Sequence, residues 1–228
     1  IVLSTMKIKA LLLALILASC SNSNELILDV EIKDLKKGKL VLSKINDSVF
    51  STIDSFNVSG EKNIIFMNEL NEPELLFLEL YTNQSKDPFS LSFFAEKGQM
   101  KIKTSLDKYG YELKVTGSKN DSILREYIRV NKKFNDQKID LIKKSFEFKK
   151  NNQNDSVIEV DNLLIQLNKR QFLHNANYAL RNKDYEISPY IAVTDLIESN
   201  KILDTIYKSL NISVKNSKYS KILESMLN

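Results

Sequence analysis

The sequence predicts an α+β fold, in which an antiparallel β-sandwich or open barrel is followed by an α-helical region. Two observations support this prediction. All five glycines and two of the three prolines lie before residue 119, so frequent turns are expected there. Short apolar or alternating runs fill the intervals between those turns, whereas the second half has long stretches with helical periodicity. We therefore expect a β-domain over residues 26–118 and a helical domain over residues 119–228.

Segments of the first half have the residue pattern of strands. Their residues alternate between apolar and polar, or form short apolar runs bounded by Gly, Pro, Asn or Asp. Seven or eight strands at this spacing are typical of a sandwich or an open barrel. The predicted strands are 26–32, 40–45, 48–58, 63–67, 75–81, 89–95, 100–104 and 111–116.

The second half has the apolar spacing of amphipathic helices. The first helix is expected to end at the polar run 150–154 and the second near Lys183, with two short helices at 202–210 and 217–227. The apolar face by which the first helix should pack comprises Leu124, Tyr127, Ile128, Phe134, Ile139, Ile142 and Phe146. Capping residues predict three helix starts: Asp121 and Ser122, then Ser156 with Glu159, then Ser188 before Pro189.

Composition excludes several classes of protein. The chain has 33 Lys and Arg against 29 Asp and Glu, and this even balance does not predict nucleic-acid binding. Hydrophobic residues make up 43% and charged residues 27%, which is typical of a globular protein rather than a disordered or multi-span membrane protein. One Cys and one His cannot form a C-x-x-C motif or a Cys/His zinc cluster. We therefore expect no catalytic residue, no metal and no cofactor.

Residues 1–19 have the pattern of a secretory signal peptide. Lys7 and Lys9 precede an apolar run at 10–18, which is too short to span a membrane. The Leu-Ala-Ser-Cys sequence that ends at Cys20 resembles the lipobox of bacterial lipoproteins. That resemblance implies that Cys20 is the lipidation site, acylated for example with palmitate, and becomes the first residue of the mature chain. Residues 20–25 would then form a lipidated tether.

The lipobox resemblance also implies a location and a chemical limit. The residue after Cys20 is Ser rather than Asp, which implies the periplasmic face of the outer membrane. Because Cys20 is the single cysteine, its acylation would leave the mature chain without a thiol. We expect the lipid on Cys20 to be the contact with the membrane.

Four stretches within residues 26–128 resemble a known domain. They are residues 38–42, residues 53–58 leading to Pro73, residues 93–102, and residues 115–124. In this order they resemble the domain of unknown function that precedes thioredoxin-like domains in periplasmic lipoproteins of the TlpA/ResA thiol-disulfide oxidoreductase type. The resemblance implies that chemistry belongs to a downstream C-x-x-C domain, which we expect to be absent here. No catalytic residue is carried over, and Asn68 departs from the glycine usual in the family.

Several side chains are candidates for a site, and each has a plainer interpretation. His174 is the single imidazole, and a helix-surface or interface role is favoured over catalysis. A glutamate cluster could bind a hard cation or form a solvated turn, and two lysine clusters could contact lipid headgroups or form solvated faces. Aromatic residues near two turns could line a ligand groove or belong to the core. These sets are Glu69, Glu72 and Glu74; Lys36, Lys37 and Lys39; Lys143, Lys144, Lys149 and Lys150; and Phe89, Phe93, Phe94, Tyr109 and Tyr111.

Two functions follow as hypotheses. The first is a lipid-anchored periplasmic binding or interaction module without catalytic activity, which would use a sheet face, an edge strand or the junction between the halves to hold a protein partner. The alternative, implied by the family resemblance alone, is a truncated or non-catalytic component of a thiol-disulfide oxidoreductase system, with a thioredoxin-like protein as partner. Hydrolase or transferase chemistry at His174 ranks last.

Overall fold

The fold is described from a computed structural model, which covers residues 24–46, 49–83 and 85–228. In this part of the chain, eight strands precede six helices, which confirms the predicted α+β class. The predicted signal peptide and Cys20 lie outside the described residues. The strands are β1 (Glu25–Lys33), β2 (Gly38–Asn46), β3 (Val49–Val58), β4 (Ile64–Glu69), β5 (Glu74–Tyr81), β6 (Phe89–Ala95), β7 (Gly98–Ser105) and β8 (Lys114–Thr116). The helices are α1 (Lys119–Lys150), α2 (Asn154–Arg181), α3 (Ile187–Asp195), α4 (Asn200–Ser209), α5 (Ile212–Lys215) and α6 (Lys218–Leu227).

The strands form two four-stranded sheets, with the orders β4-β1-β7-β8 and β3-β2-β5-β6. The neighbouring strands pair antiparallel with one exception, because β1 and β7 are parallel. The expectation of a purely antiparallel sandwich is wrong at this pair. A parallel neighbour needs a long crossover, and the chain supplies it by building other strands between β1 and β7. The alternation of apolar and polar residues indicates which face of the sheet each side chain is on. It is the same in parallel and antiparallel strands, so it does not predict the direction of a neighbouring strand.

The first core lies between the two sheets. Along β1, every second residue from Leu26 to Ile32 is buried, which is the pattern of a strand with one face on a core. Strand β6 departs from this alternation, because Phe93, Phe94 and Ala95 are all buried. Phe93 belongs to the inter-sheet core, whereas Phe94 belongs to a second core formed with the helices. The helices therefore cover one outer face of the sandwich.

Helices α1 and α2 form an antiparallel hairpin with a coiled-coil seam. Buried and half-buried residues recur at alternating spacings of three and four, which is the pattern of a and d positions in a heptad repeat. Apart from Ser145, the buried residues of α1 lie in its first nine positions, between Asn120 and Tyr127, so the far half of the hairpin projects from the cores. The seam residues are Leu124, Tyr127, Asn131, Phe134, Lys138, Leu141, Ser145 and Phe148 on α1, and Val157, Val160, Leu164, Leu167, Gln171, His174 and Tyr178 on α2.

The predicted packing face of α1 is correct for Leu124, Tyr127 and Phe134, which lie in the seam with α2, and wrong for its other four residues. Ile128, Ile139, Ile142 and Phe146 are exposed, because the seam with α2 uses a neighbouring stripe of the helix. That seam includes polar residues such as Asn131 and Ser145, whose low hydrophobicity hides it from a hydropathy pattern.

The predicted helix caps are also wrong. Helix α1 begins at Lys119, where the Ser118 hydroxyl accepts a hydrogen bond from the Asp121 amide at 2.9 Å. Helix α2 begins at Asn154, so Ser156 and Glu159 lie inside it. Helix α3 begins at Ile187, and the Ser188 hydroxyl donates to the Ala179 carbonyl at 2.8 Å. Asp121 and Ser188 are used in tertiary contacts, which compete with capping and leave no trace in the local sequence.

Candidate functional site

The junction between the strands and the helices is held by buried and half-buried polar side chains that form hydrogen bonds with one another. The Glu96 carboxylate accepts hydrogen bonds from the Ser118 hydroxyl and the Asn120 side-chain amide, both at 3.0 Å. Asn120 also donates to Glu186 and accepts from the Ile187 amide, each at 2.8 Å. Because these groups bind one another, we interpret the junction as a structural joint rather than a ligand site.

Asp121 ties the outer edge of β6 to α1. Its side chain is 1% exposed and accepts hydrogen bonds from the Phe94 amide at 2.9 Å and from the Arg125 guanidinium at 2.8 Å. The guanidinium also donates to the Ser92 carbonyl. These side chains occupy backbone groups that an added strand would need, so the edge of β6 at these residues is blocked.

The glutamate cluster is a docking point for the C-terminal helix. Glu74 is buried and pairs with Lys218 at 2.6 Å and with Lys44 at 3.7 Å. Glu72 accepts a hydrogen bond from the Lys218 amide. The expected solvated turn is therefore wrong for both of these residues, whereas Glu69 is exposed. Across residues 24–46, 49–83 and 85–228, no group of three or more His, Cys, Asp and Glu side chains could hold a metal ion.

The aromatic residues near the turns do not line one common groove. Phe93, Phe94 and Tyr109 are core residues, and the Tyr109 hydroxyl donates to the Leu78 carbonyl at 3.0 Å. Burial raises the pKa of Tyr109 far above its usual range. Tyr111, in contrast, is 93% exposed. The core interpretation is therefore correct for three of the five residues, whereas Tyr111 and Phe89 each line a separate surface groove.

His174 lies in the seam of the hairpin. Its ring packs between Phe134 and Tyr178, with centroid distances of 5.7 and 5.8 Å. The Nε2 atom is buried and has no hydrogen-bond partner among the described residues. Burial lowers the pKa of His174, and the nearby Arg181 charge lowers it further. This is the interface position that the sequence favoured over a catalytic one.

The substitution His174→Phe is expected to flatten the pH dependence of stability. Because the folded-state pKa lies below the unfolded value of about 6.5, the unfolded chain takes up this proton first as the pH falls. His174 therefore contributes stability above pH 6.5 that is lost as the pH falls through its folded-state pKa. Urea unfolding at pH 7.5 and pH 5.5 measures this loss. An equal loss in wild type and variant would contradict the assignment.

Both lysine clusters are on the surface. Lys36, Lys37 and Lys39 are exposed, as are Lys143, Lys144, Lys149 and Lys150, which fits the solvated faces predicted from the sequence. Contact with lipid headgroups stays a prediction. Over the described part of the chain, no helix is both long enough and apolar enough to cross a bilayer.

A polar groove of about 750 Å³ lies on one side of the hairpin, near the cores. Gln171 donates to Asn131 at 2.6 Å, Asn131 donates to Asn175 at 3.1 Å, and the Tyr127 hydroxyl donates to Asp195. Buried amides in a coiled-coil seam fix the register of the two helices. We assign this register role to the amide network. Sequence reasoning missed it, although amides at seam positions of a heptad repeat were the available signal.

An exposed apolar stripe continues from the groove towards the tip of the hairpin. The groove is lined by Ile128 and Asn135 of α1 and by Asn168 and Phe172 of α2, which places these residues on one side. On each helix, residues seven positions closer to the tip of the hairpin lie on the same side. These are later residues on α1 and earlier residues on α2. We call this surface the hairpin flank. It comprises Ile128, Lys132, Asn135, Ile139, Ile142, Phe146 and Lys149 of α1, and Ile158, Asp161, Ile165, Asn168 and Phe172 of α2.

The hairpin flank is unusually apolar for a surface. Six of its large apolar side chains, Ile128, Ile139, Ile142, Phe146, Ile158 and Ile165, are 43–69% exposed. Scattered apolar residues are ordinary on a protein surface, but a contiguous patch is typical of an interaction site. The opposite side of the hairpin mixes polar and apolar side chains, since Gln137, Lys144 and Arg170 line the groove there together with Leu141, Leu163 and Leu167.

Comparison with known proteins identifies the N-terminal part of the chain. A search of curated proteins found no match to this sequence. A family model, Domain of unknown function (DUF4369), matches residues 26–124. The matched region begins at the second residue of β1 and contains the other seven strands completely, and it ends inside α1 after Ser118, Asn120 and Asp121. Residues 26–124 therefore match a domain of unknown function, which confirms that part of the predicted resemblance.

Proposed function

We propose that this protein is a lipid-anchored periplasmic interaction module without catalytic activity of its own, and that a protein partner binds the hairpin flank. The observation that supports this proposal is the row of exposed apolar side chains between Ile128 and Phe146 on α1 and between Ile158 and Ile165 on α2. Leaving such a patch in water costs free energy that a partner would recover by covering it.

Support for binding rather than catalysis comes from how the buried polar groups are used. Glu96, Asp121 and Glu74 are each engaged by protein donors that hold two elements together. His174 packs between two aromatic rings, with no nucleophilic side chain bound to its buried Nε2 atom among the described residues. A general base would need such a neighbour. The alternative redox role stays a prediction from the family resemblance, and the match to a domain of unknown function adds nothing to it.

In this proposal the anchor is the lipid on Cys20, at the periplasmic face of the outer membrane. Cys20→Ser is expected to abolish incorporation of labelled palmitate and to move the protein from the membrane fraction to the soluble fraction. The change is expected because stable attachment depends on the acyl chains. Retention of the variant in membranes would refute this anchor.

A photo-crosslinking residue tests the hairpin flank in intact cells. Placed at Ile165, it is expected to give a protein adduct of defined mass, because this position would lie inside the interface. Placed at Leu163, which is exposed on the opposite side of the hairpin, it should give no such adduct. Ile142→Asp should remove the Ile165 adduct by placing a charge in the interface. Adducts of equal yield at both positions, or at neither, would refute the proposal.

A further inference from the structure

We infer that the partner on the hairpin flank is a second copy of this chain, so that two hairpins form a four-helix bundle. This inference rests on the proposed function, because it names the occupant of the same surface. Three features of the hairpin support it: the charges of its two helices, the periodicity of its apolar residues, and the area of its flank.

The two helices carry opposite charge over the projecting half of the hairpin. Residues 136–150 of α1 contain five lysines and three acidic residues. Residues 154–168 of α2 contain Asp155, Glu159 and Asp161 and no Lys or Arg. The distal half of α1 is therefore net positive, and the facing half of α2 is net negative. A surface with one positive and one negative side is complementary to a rotated copy of itself.

A two-fold axis along the hairpin brings these charges together. This rotation places α1 of one protomer against α2 of its partner, with both tips at the same end. Lys149, which lies seven residues after Ile142 on the same side of α1, then faces Asp161 of the partner's α2, and the same contact is made twice. The alternative axis, across the hairpin, would place α1 against α1 and the three acidic residues of α2 against their own copies.

The periodicity of the apolar residues suits a helical partner. Ile128 and Ile142 lie fourteen residues apart on α1, and Ile158, Ile165 and Phe172 lie seven apart on α2. Each row follows a heptad, so it stays on the same side of its helix along the whole hairpin. Two such flanks can interdigitate as the layers of a four-helix bundle do. Asn135, Asn168 and Asp161 interrupt the rows and would fix the register between the copies.

The available area is sufficient for a specific dimer. At 1.5 Å per residue, the hairpin extends about 33 Å from Ile128 to Lys150. Two helices side by side are about 20 Å wide. The flank therefore offers roughly 650 Å² on each protomer, or about 1,300 Å² in total, which is within the range of specific interfaces. A membrane surface fits less well, since anionic headgroups would repel the acidic half of α2.

Sedimentation velocity of the full chain, extracted with its lipid in mild detergent, tests the inference. Wild type is expected to sediment as a concentration-dependent dimer. Ile142→Asp should weaken the dimer at least tenfold. The matched control is Leu163→Asp. Leu163 is 42% exposed, close to the 44% of Ile142, but it lies on the side of the hairpin away from the flank. This control should leave the dimer unchanged. Both variants should retain the circular dichroism spectrum of wild type.

The result separates this inference from the proposed function. A wild type that is monomeric at every concentration overturns the second copy as partner. If the crosslinker at Ile165 then still captures a different protein, the interaction module stands with a heterologous partner. If it captures nothing, the proposed function fails as well. Binding of phosphatidylglycerol vesicles that Ile142→Asp abolishes would overturn both in favour of a lipid surface. Equal weakening by Ile142→Asp and Leu163→Asp would place the dimer contact elsewhere and overturn the inference.

Discussion

Asp121→Ala is expected to destabilise the protein by about 3–5 kcal/mol, because it breaks a buried, hydrogen-bonded ion pair. The Asp121 carboxylate binds both the Phe94 amide and the Arg125 guanidinium. Its removal leaves the amide without this partner and strands a half-buried positive charge at the edge of β6. Urea unfolding measures the loss as a fall in the transition midpoint at unchanged slope.

The same helix provides a matched control. Lys132 and Asp136 form an ion pair with the same four-residue spacing as the pair of Arg125 and Asp121, but both of its side chains are exposed. Asp136→Ala should therefore change stability by no more than about 0.5 kcal/mol. If the two substitutions cost the same, burial of Asp121 does not determine its role.

Phe94→Ala is expected to cost about 3–5 kcal/mol and to loosen the helices from the sandwich. Phe94 is completely buried in the second core, and its ring centroid lies 5.8 Å from those of Tyr190 on α3 and Tyr219 on α6. Truncation to Ala leaves a cavity where these elements meet. Hydrogen exchange should show faster exchange in α3, α4 and α6 than in the sheets.

Two other residues of β6 serve as controls. Phe93→Ala should cost a similar amount, but its effect should appear in both sheets, because Phe93 lies in the inter-sheet core. Phe89→Ala should cost about 1 kcal/mol or less, because Phe89 is already exposed. If Phe93→Ala and Phe94→Ala each increased hydrogen exchange equally in the sheets and the helices, the two cores would unfold as one unit.

Much of the fold was predictable from the sequence, because strands leave a strong local signal. The predicted segment 26–32 lies within β1, and the predicted segment 89–95 coincides with β6. Alternation and turn residues determine such elements locally. The parallel pairing of β1 with β7 was not predictable in this way, since strand order depends on contacts distant in the sequence. The simultaneous burial of Phe93 and Phe94 likewise depends on the helices that cover the sheet.

The candidate site was harder to predict than the fold. Helix α1 has two stripes of seven-residue period, and the packing face predicted from hydropathy mixes residues of both. The seam contains Asn131, Lys138 and Ser145, whereas the exposed stripe contains Ile139 and Ile142. Helix α2 packs against the seam because the seam amides of α1 form hydrogen bonds with α2, as Asn131 does with Gln171. A single helix considered alone cannot show that selection.

The hydrogen bonds from Asp121 and Arg125 to the edge of β6 determine where this domain can be cut for fusion to another protein. The strands end at Thr116, but residues that close the sheet edge are supplied by the first two turns of α1. A gene fusion that cut the chain after the last strand would leave the Phe94 amide and the Ser92 carbonyl open to strands of other molecules, which invites aggregation. The family match extends to residue 124, beyond the last strand. The smallest transferable unit is therefore the sandwich together with the start of its first helix.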